Sequence, residues 1–140
     1  MYTTLISKID TTLDKVDKIS KIYNYPETKL KGFPAVLFRP DTFENSFESV
    51  KENFKIYRFS MWVVVSSDET KTMEDVFGTI LPDVVDDIVA QFDEDWDGGT
   101  IDGHRCWIKI DSGIWGVDET QDSVAGFAEL DLVIKVLTSN

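Results

Sequence analysis

The segment Ala125–Leu137 (AGFAELDLVIKVL) does most to limit the fold. Ala128, Leu130, Leu132, Ile134 and Val136 fall on one side of an extended chain, and Phe127, Glu129, Asp131, Val133 and Lys135 on the other. A period of two with one clean apolar side and one largely charged side is the pattern of a strand whose sheet is covered on one face and solvated on the other. Phe54–Ser66 (FKIYRFSMWVVVS) repeats it. Lys55, Tyr57, Phe59, Met61, Val63 and Val65 make the drier side, and Ile56, Arg58, Ser60, Trp62 and Val64 the other. Its β-branched and aromatic content suits a pleated, half-buried surface.

Two helices are predicted to cover that sheet. From Thr3 to about Tyr23, Leu5, Ile6, Ile9, Leu13, Val16, Ile19, Ile22 and Tyr23 recur at spacings of three and four, which places them on one helical stripe. Thr3 or Thr4 would cap its start, Lys18 and Lys21 would suit its negative end, and Pro26 would stop it. A second stripe runs Met73, Val76, Phe77, Ile80, Leu81, Val84, Val85, Ile88, Val89, Phe92. Ser67 or Asp68 would cap it, and Glu69, Glu74 and Asp75 would favour its positive end. Pro82 lies inside this stripe and predicts a kink or break near residues 78–81. The remaining segments are a short buried strand at 32–40, a strand or structured loop at 42–50 with a turn at 51–53, a polar connector at 93–103, a strand at His104–Ile110, and a glycine-containing stretch at 111–124. The chain is therefore expected to be α+β: a mostly antiparallel sheet of about four to five strands with two helices packed on one face. The 140 residues suit one domain over 1–140.

Composition excludes several classes. With 42% hydrophobic and 12% aromatic residues the chain is too apolar to be disordered. It has no apolar run long enough for a transmembrane helix. The charged start MYTTLISKIDTTLDKVDK is unlike a signal peptide, and one cysteine, Cys106, cannot close an internal disulfide. Cytosolic synthesis is expected. The net charge of −12 is uneven: residues 68–102 hold twelve acids and one base, while residues 1–31 hold six lysines and four acids. Such a chain repels phosphate backbones, so direct nucleic-acid binding is not expected, although an acidic surface could face DNA without holding it.

The chain contains no nucleophile elbow, phosphate loop, dinucleotide fingerprint or HExxH. His104 and Cys106 share a side of one strand, as any residues two apart do. Cys106 is in phase with Ile108 and Ile110, so a small buried hydrophobe is the better reading, and no catalytic residue is predicted. Asp93, Asp95 and Asp97 followed by Gly98 match the opening of a calcium-binding loop. Its twelfth position, however, is His104 instead of glutamate, and a strand follows where a helix should. Asp93–Asp97 is thus a weak metal candidate, and no cofactor is predicted. Trp62, Trp96, Trp107 and Trp115 are too many for a core alone. Trp107 and Trp115 are the interface candidates, since exposed aromatics are enriched at protein contacts.

The order of elements and several strings resemble the tail-terminator and minor-tail-protein family of long-tailed bacteriophages, which includes the lambda-type terminators. The strings are FPAVLFRP at 33–40, ESVKENFKIYRFSMWVVV at 48–65, LPDVVDDIVAQFDED at 81–95, WIKIDSGIWGVDE at 107–119 and GFAELDLVIKVL at 126–137. None is a chemical motif, and the calcium-like loop and the degree of acidity lie outside the pattern. The resemblance implies a virion protein that forms a ring, a hexamer in that family, on the end of the tail tube. There it stops tube growth and meets the head-completion, or neck, proteins while DNA passes through. In such a ring Asp83, Asp86 and Asp87 are candidates to line the channel. A neck protein of the same virion, and a small calcium-dependent binding module, are the alternatives.

Overall fold

The computed structural model describes residues 1–27, 29–68, 71–119 and 124–139. The architecture is α+β, with a curled mixed sheet of six strands in the order β1-β2-β3-β6-β5-β4. The strands are β1 (Lys21–Tyr23), β2 (Ala35–Phe47), β3 (Glu52–Ser66), β4 (Asp97–Ile101), β5 (His104–Glu119) and β6 (Val124–Ser139). Only β1 and β2 run parallel; the other neighbours are antiparallel. The sheet thus has one more strand than the upper limit expected from sequence, because β1 and β4 are short and hidden in segments that read as helix and connector.

The alternation in β3 and β6 sets the centre. Tyr57, Phe59, Met61, Val63 and Val65 are buried, as are Ala128, Leu130, Leu132, Ile134 and Val136. The two strands pair along their whole length, from Glu52 opposite Ser139 to Ser66 opposite Ala125. Their buried sides join Leu5, Ile9 and Leu13 of α1 (Tyr2–Leu13) and Leu81, Val84, Val85, Ile88 and Phe92 of α3 (Leu81–Glu94) in one apolar cluster.

The helix predicted over residues 3–23 ends at Leu13. Lys15 and Val16 donate their amides to the carbonyls of Thr12 and Leu13, a tightened turn. Val16 still buries itself, but Lys21–Tyr23 joins the sheet beside β2, where the β-branched and aromatic Ile22 and Tyr23 are better placed than in a helix. Neither Thr3 nor Thr4 caps α1, whose first flanking residue is Met1, and Pro26 lies well beyond its end.

The second helical run starts later than predicted. Thr72, not Ser67 or Asp68, caps α2 (Met73–Asp75) through a capping box in which its hydroxyl accepts from the Asp75 amide and the Asp75 carboxylate accepts from the Thr72 amide. Glu69 lies outside the described residues. A π-helical segment, Val76–Ile80, leads into α3, and Pro82 occupies the first turn of α3. Proline removes one amide from the ladder and crowds the carbonyl four residues earlier. Here that disturbance takes the form of a wider turn instead of a break.

β2 is a single strand where the sequence suggested two segments. It passes through Pro40 by a bulge between Pro40 and Thr42, a place where a missing N–H is tolerated. Similarly, β5 continues beyond Ile110 through a bulge between Ile110 and Ser112. The glycine-containing stretch, left without an element by the sequence, is therefore strand as far as Glu119, and residues 120–123 lie outside the described residues. The polar connector holds β4, joined to β5 by Asp102 and Gly103, both at positive φ (50° and 82°). Two successive positive φ values form the hairpin turn that Asp-Gly favours.

Candidate interaction surfaces

Cys106 and His104 do not form a reactive pair. Cys106 is fully buried in β5 and packs against Gly98, where a side-chain Cβ would collide with its Sγ. Burial pushes its thiol up from the ordinary value, opposite to the shift that activates a nucleophile. Among the described residues no hydrogen bond links His104 to Cys106.

The carboxylates of the calcium-like spacing are not gathered into one cluster. Asp93 ends on the exposed side of α3. Asp95, just past the helix, accepts from Lys15 Nζ at 2.9 Å and from Gln91 at 3.0 Å. Asp97, in β4, is held by Arg105 at 2.7 Å and by the Gly99 amide at 3.0 Å. The Lys15 hydrogen bond, followed by that from Gln91, lowers the Asp95 pKa; the Gly99 amide, followed by Arg105, lowers that of Asp97. The carboxylates are thus satisfied separately by different cations. Among the described residues no group of three or more His, Cys, Asp or Glu is placed to hold a metal ion.

Asp83, Asp86 and Asp87 lie at i, i+3 and i+4 on α3, turned away from its buried stripe of Val84, Val85 and Ile88. Asp83 and Asp86 are exposed, and Asp87 pairs with Lys18 at 2.9 Å. The Asp87 hydrogen bond is the leading reason that Lys18 holds its proton more tightly than usual. With Lys15–Asp95, this contact seats the lysine-containing segment after α1 against the acidic helix α3 and the residue that follows it. The pairing was invisible to sequence reading because Lys15 and Asp95 are 80 residues apart.

The other sheet face carries aromatics and cations together. Trp107 is half-buried there. Its ring centroid lies 6.1 Å from that of Phe54, with Arg105 5.3 Å above it, and Lys135 is 5.8 Å from the Phe54 ring. Arg58 binds Asp131 at 2.7 Å in the next row. Towards the opposite end, a groove of about 660 Å³ is lined by Pro26, Leu30, Leu37, Arg39, Trp62 and Phe127. Arg39 lies 5.4 Å from the Trp62 ring. Trp96 is exposed, so of the four tryptophans Trp107 and Trp62 are partly packed while Trp96 and Trp115 face solvent.

Trp115, in the glycine-containing stretch of the sequence, stands in the second half of β5. It belongs to a group that the reading largely missed. The large apolar residues most exposed along the strands are Phe43 (70%) and Phe47 (80%) in β2 and Ile114 (62%), Trp115 (55%) and Val117 (51%) in β5. Both stretches are sheet edges. β1 pairs with β2 only at Ala35–Leu37, and β4 reaches β5 only as far as Trp107, with one further bond from the Ile108 amide to the Trp96 carbonyl. The rest of β2 and of β5 has a neighbour on one side only among the described residues. The available sequence signal was the spacing of Phe43 and Phe47, which alternate in a segment too polar to be a core strand.

Among the described residues no helix is long and apolar enough to cross a membrane. In comparisons with known proteins, no family model and no curated sequence matches this chain.

Proposed function

We propose that this chain is a ring-forming structural subunit of a long-tailed phage virion, a tail-terminator-like protein that caps the tail tube and joins it to the head-completion (neck) proteins. The observation that carries this reading is the concentration of exposed apolar side chains on two sheet edges, Phe43 and Phe47 on one and Ile114, Trp115 and Val117 on the other, in a chain whose net charge is −12. A subunit with two different adhesive surfaces makes head-to-tail contacts, and those close into rings when the rotation permits. The resemblance of the element order and strings to tail terminators supplies the biological setting. We infer also that α1 and α3 both lie on the one face of the sheet whose residues are buried, which leaves the aromatic and basic face for contacts with the tube or neck protein.

In this reading the protein is not an enzyme, and Cys106 and His104 serve packing. Six copies bring six acidic α3 surfaces together, and Asp83, Asp86 and Asp87 border the channel through which DNA passes unbound. Repulsion of polyphosphate acts over about a Debye length, about 8 Å at physiological salt, so a narrow acidic channel keeps DNA from adhering. The same repulsion opposes ring closure, and added salt or divalent cations favour assembly.

Imaging assembled particles that carry a tagged copy tests the location: density at the end of the tail tube supports a terminator, and density on the head side of the joint makes it a neck protein. Replacing Asp83, Asp86 and Asp87 with Lys tests the channel. Slowed DNA ejection from assembled particles is expected, and unchanged assembly and infectivity would remove those residues from the channel. A calcium module is disfavoured by the cations already held at Asp95 and Asp97; loss of stability on chelation would restore it.

A further inference from the structure

The two free edges have complementary shapes. With β3 drawn pointing up, β2 and β6 run down and β5 runs up. β1 covers the upper end of β2, and β4 covers the lower end of β5. The uncovered stretches are therefore Phe38–Phe47, at the lower corner of one side, and Lys109–Glu119, at the upper corner of the other. They are nearly equal in length. We propose that Phe38–Phe47 of one copy pairs antiparallel with Lys109–Glu119 of a second copy, so that successive copies join into one continuous sheet. This inference rests on the reading of the chain as a ring subunit and names the surface that closes the ring.

The occupant of each edge follows from three features. First, the steps fit: when the lower corner of one copy meets the upper corner of another, its β1 rises past the end of the partner's β5, and the partner's β4 ends below its β2. Neither short strand obstructs the joint. Second, one register satisfies the side chains. Each strand has a bulge, at Asp41 between Pro40 and Thr42 and at Asp111 between Ile110 and Ser112. If Phe43 faces Trp115, skipping those two bulged residues sets Pro40 opposite Val117 and Phe47 opposite Ile110. The side chains that share the buried face within each copy then share it across the joint. Third, that register pairs opposite charges, Arg39 with Asp118 and Glu48 with Lys109. Among the described residues neither Arg39 nor Asp118 has an ion-pair partner within the chain.

Self-pairing of like edges gives closed two-fold pairs instead of a ring. Apart from Arg39, the charges on and just beyond the free part of β2 (Asp41, Glu44, Glu48) are negative, and on β5 only Lys109 offsets Asp111, Asp118 and Glu119. Pro40, the bulges and these carboxylates are features that stop exposed edges from pairing indiscriminately. A joint between β2 and β5 in this register sets no acid opposite an acid, whereas β2 on β2 centred on Glu44 sets that acid against itself, and β5 on β5 closes into a two-fold pair instead of continuing to a ring. Each copy is also displaced along the strand direction relative to its neighbour. Strands tilted from the axis are what a sheet needs in order to close on itself.

Cross-linking tests the joint. Glu44→Cys and Ile114→Cys, both at exposed positions that face each other in this register, are prepared separately in a Cys106→Ala background and mixed under conditions of high salt. Disulfide-linked or short bis-maleimide-linked dimers in the mixture, absent from either variant alone, are expected. The double variant Glu44→Cys/Ile114→Cys should give a ladder that ends at the ring size. Linkage of either single variant to itself overturns the proposal in favour of a two-fold joint. No linkage in the mixture, while sedimentation shows the cysteine-free protein assembling, overturns the edge joint and leaves the ring reading standing. A monomer at every concentration and salt overturns both. A charge exchange supplies the second measurement: Arg39→Asp should raise the concentration needed for half-assembly by about tenfold, roughly the effect of one unfavourable charge juxtaposition, and Asp118→Arg on a mixed partner should restore it. Failure of that exchange to restore assembly removes the proposed register.

Discussion

β5 shows two different fates for one alternating pattern. In its first half Cys106 and Ile108 are buried in the core cluster, with β6 on one side and β4 alongside. In its second half Ile114, Trp115 and Val117 are more than half exposed, although they are as apolar and as regularly extended. What differs is cover. β4 closes only the first part of the edge, and past the bulge at Asp111 Trp115 and Val117 keep the side of Ile108 while Ile114 turns to the side of Glu129. Apolar character alone does not decide burial; a neighbouring element must be there to provide it.

The largest effects should come from the covered half. Ile108→Lys places a charge where the side chain is 3% exposed, without a described partner, and should cost several kcal/mol. Ile88→Asp, on the facing helix, should cost a similar amount, since even truncation of a buried Ile to Ala costs about 2–5 kcal/mol. Chemical denaturation measures both, and a variant folded with wild-type stability would refute the packing of α3 on the sheet.

Next is the contact between β4 and β5. Gly98→Ala pushes a methyl group into Cys106 Sγ, and its Cβ also approaches Lys8 and the Cys106 carbonyl. A loss of about 1–3 kcal/mol is expected, as for other overpacked sites. Gly98→Ala combined with Cys106→Ala should recover part of it, because the sulfur is removed while the carbonyl stays. A double-mutant cycle that sums without coupling would place β4 farther from β5.

A smaller effect separates the Asp95 contact from solvent-exposed acids. Its pKa is lowered, first by the Lys15 hydrogen bond, so it contributes stability that is present above the unfolded carboxylate pKa of about 3.9 and is lost as pH falls through its lower folded value. Asp95→Asn should cost at most about 1 kcal/mol at neutral pH, the range of exposed ion pairs. It should also flatten the decline in melting temperature below about pH 4. An acid limb as steep as that of the parent would show that Lys15–Asp95 contributes nothing.

The smallest effect sharpens the comparison most. Ile114→Lys makes the same kind of change as Ile108→Lys in the same strand, at a residue 62% exposed and opposite Glu129. Stability should move by less than about 0.5 kcal/mol, and the new cross-strand charge pair could make the change favourable. Thermal melts of the two variants side by side would show whether the covered start of β5 differs from the outward side of its second half; a destabilisation equal to that of Ile108→Lys would erase the distinction.

The sequence by itself determined the elements whose pattern repeats through contacts they must make: β3 and β6, with the correct buried sides, and α3, with its acids turned outward. Their signal is local, because each residue's side follows from the period of its own strand or helix. The disturbance ahead of Pro82 was equally local. Tertiary structure decided where α1 stops, since Ile22 and Tyr23 keep a helical spacing yet gain a strand partner in β2 only once the chain has folded. It also decided that β2 runs through Pro40 and β5 through Asp111, because a bulge needs a paired strand to hold it. Finally, it decided that Asp95 and Asp97 face Lys15 and Arg105 instead of one another, and that Phe43 and Trp115 stay exposed. Pairing partners and edge cover depend on residues distant along the chain, and no local pattern records them.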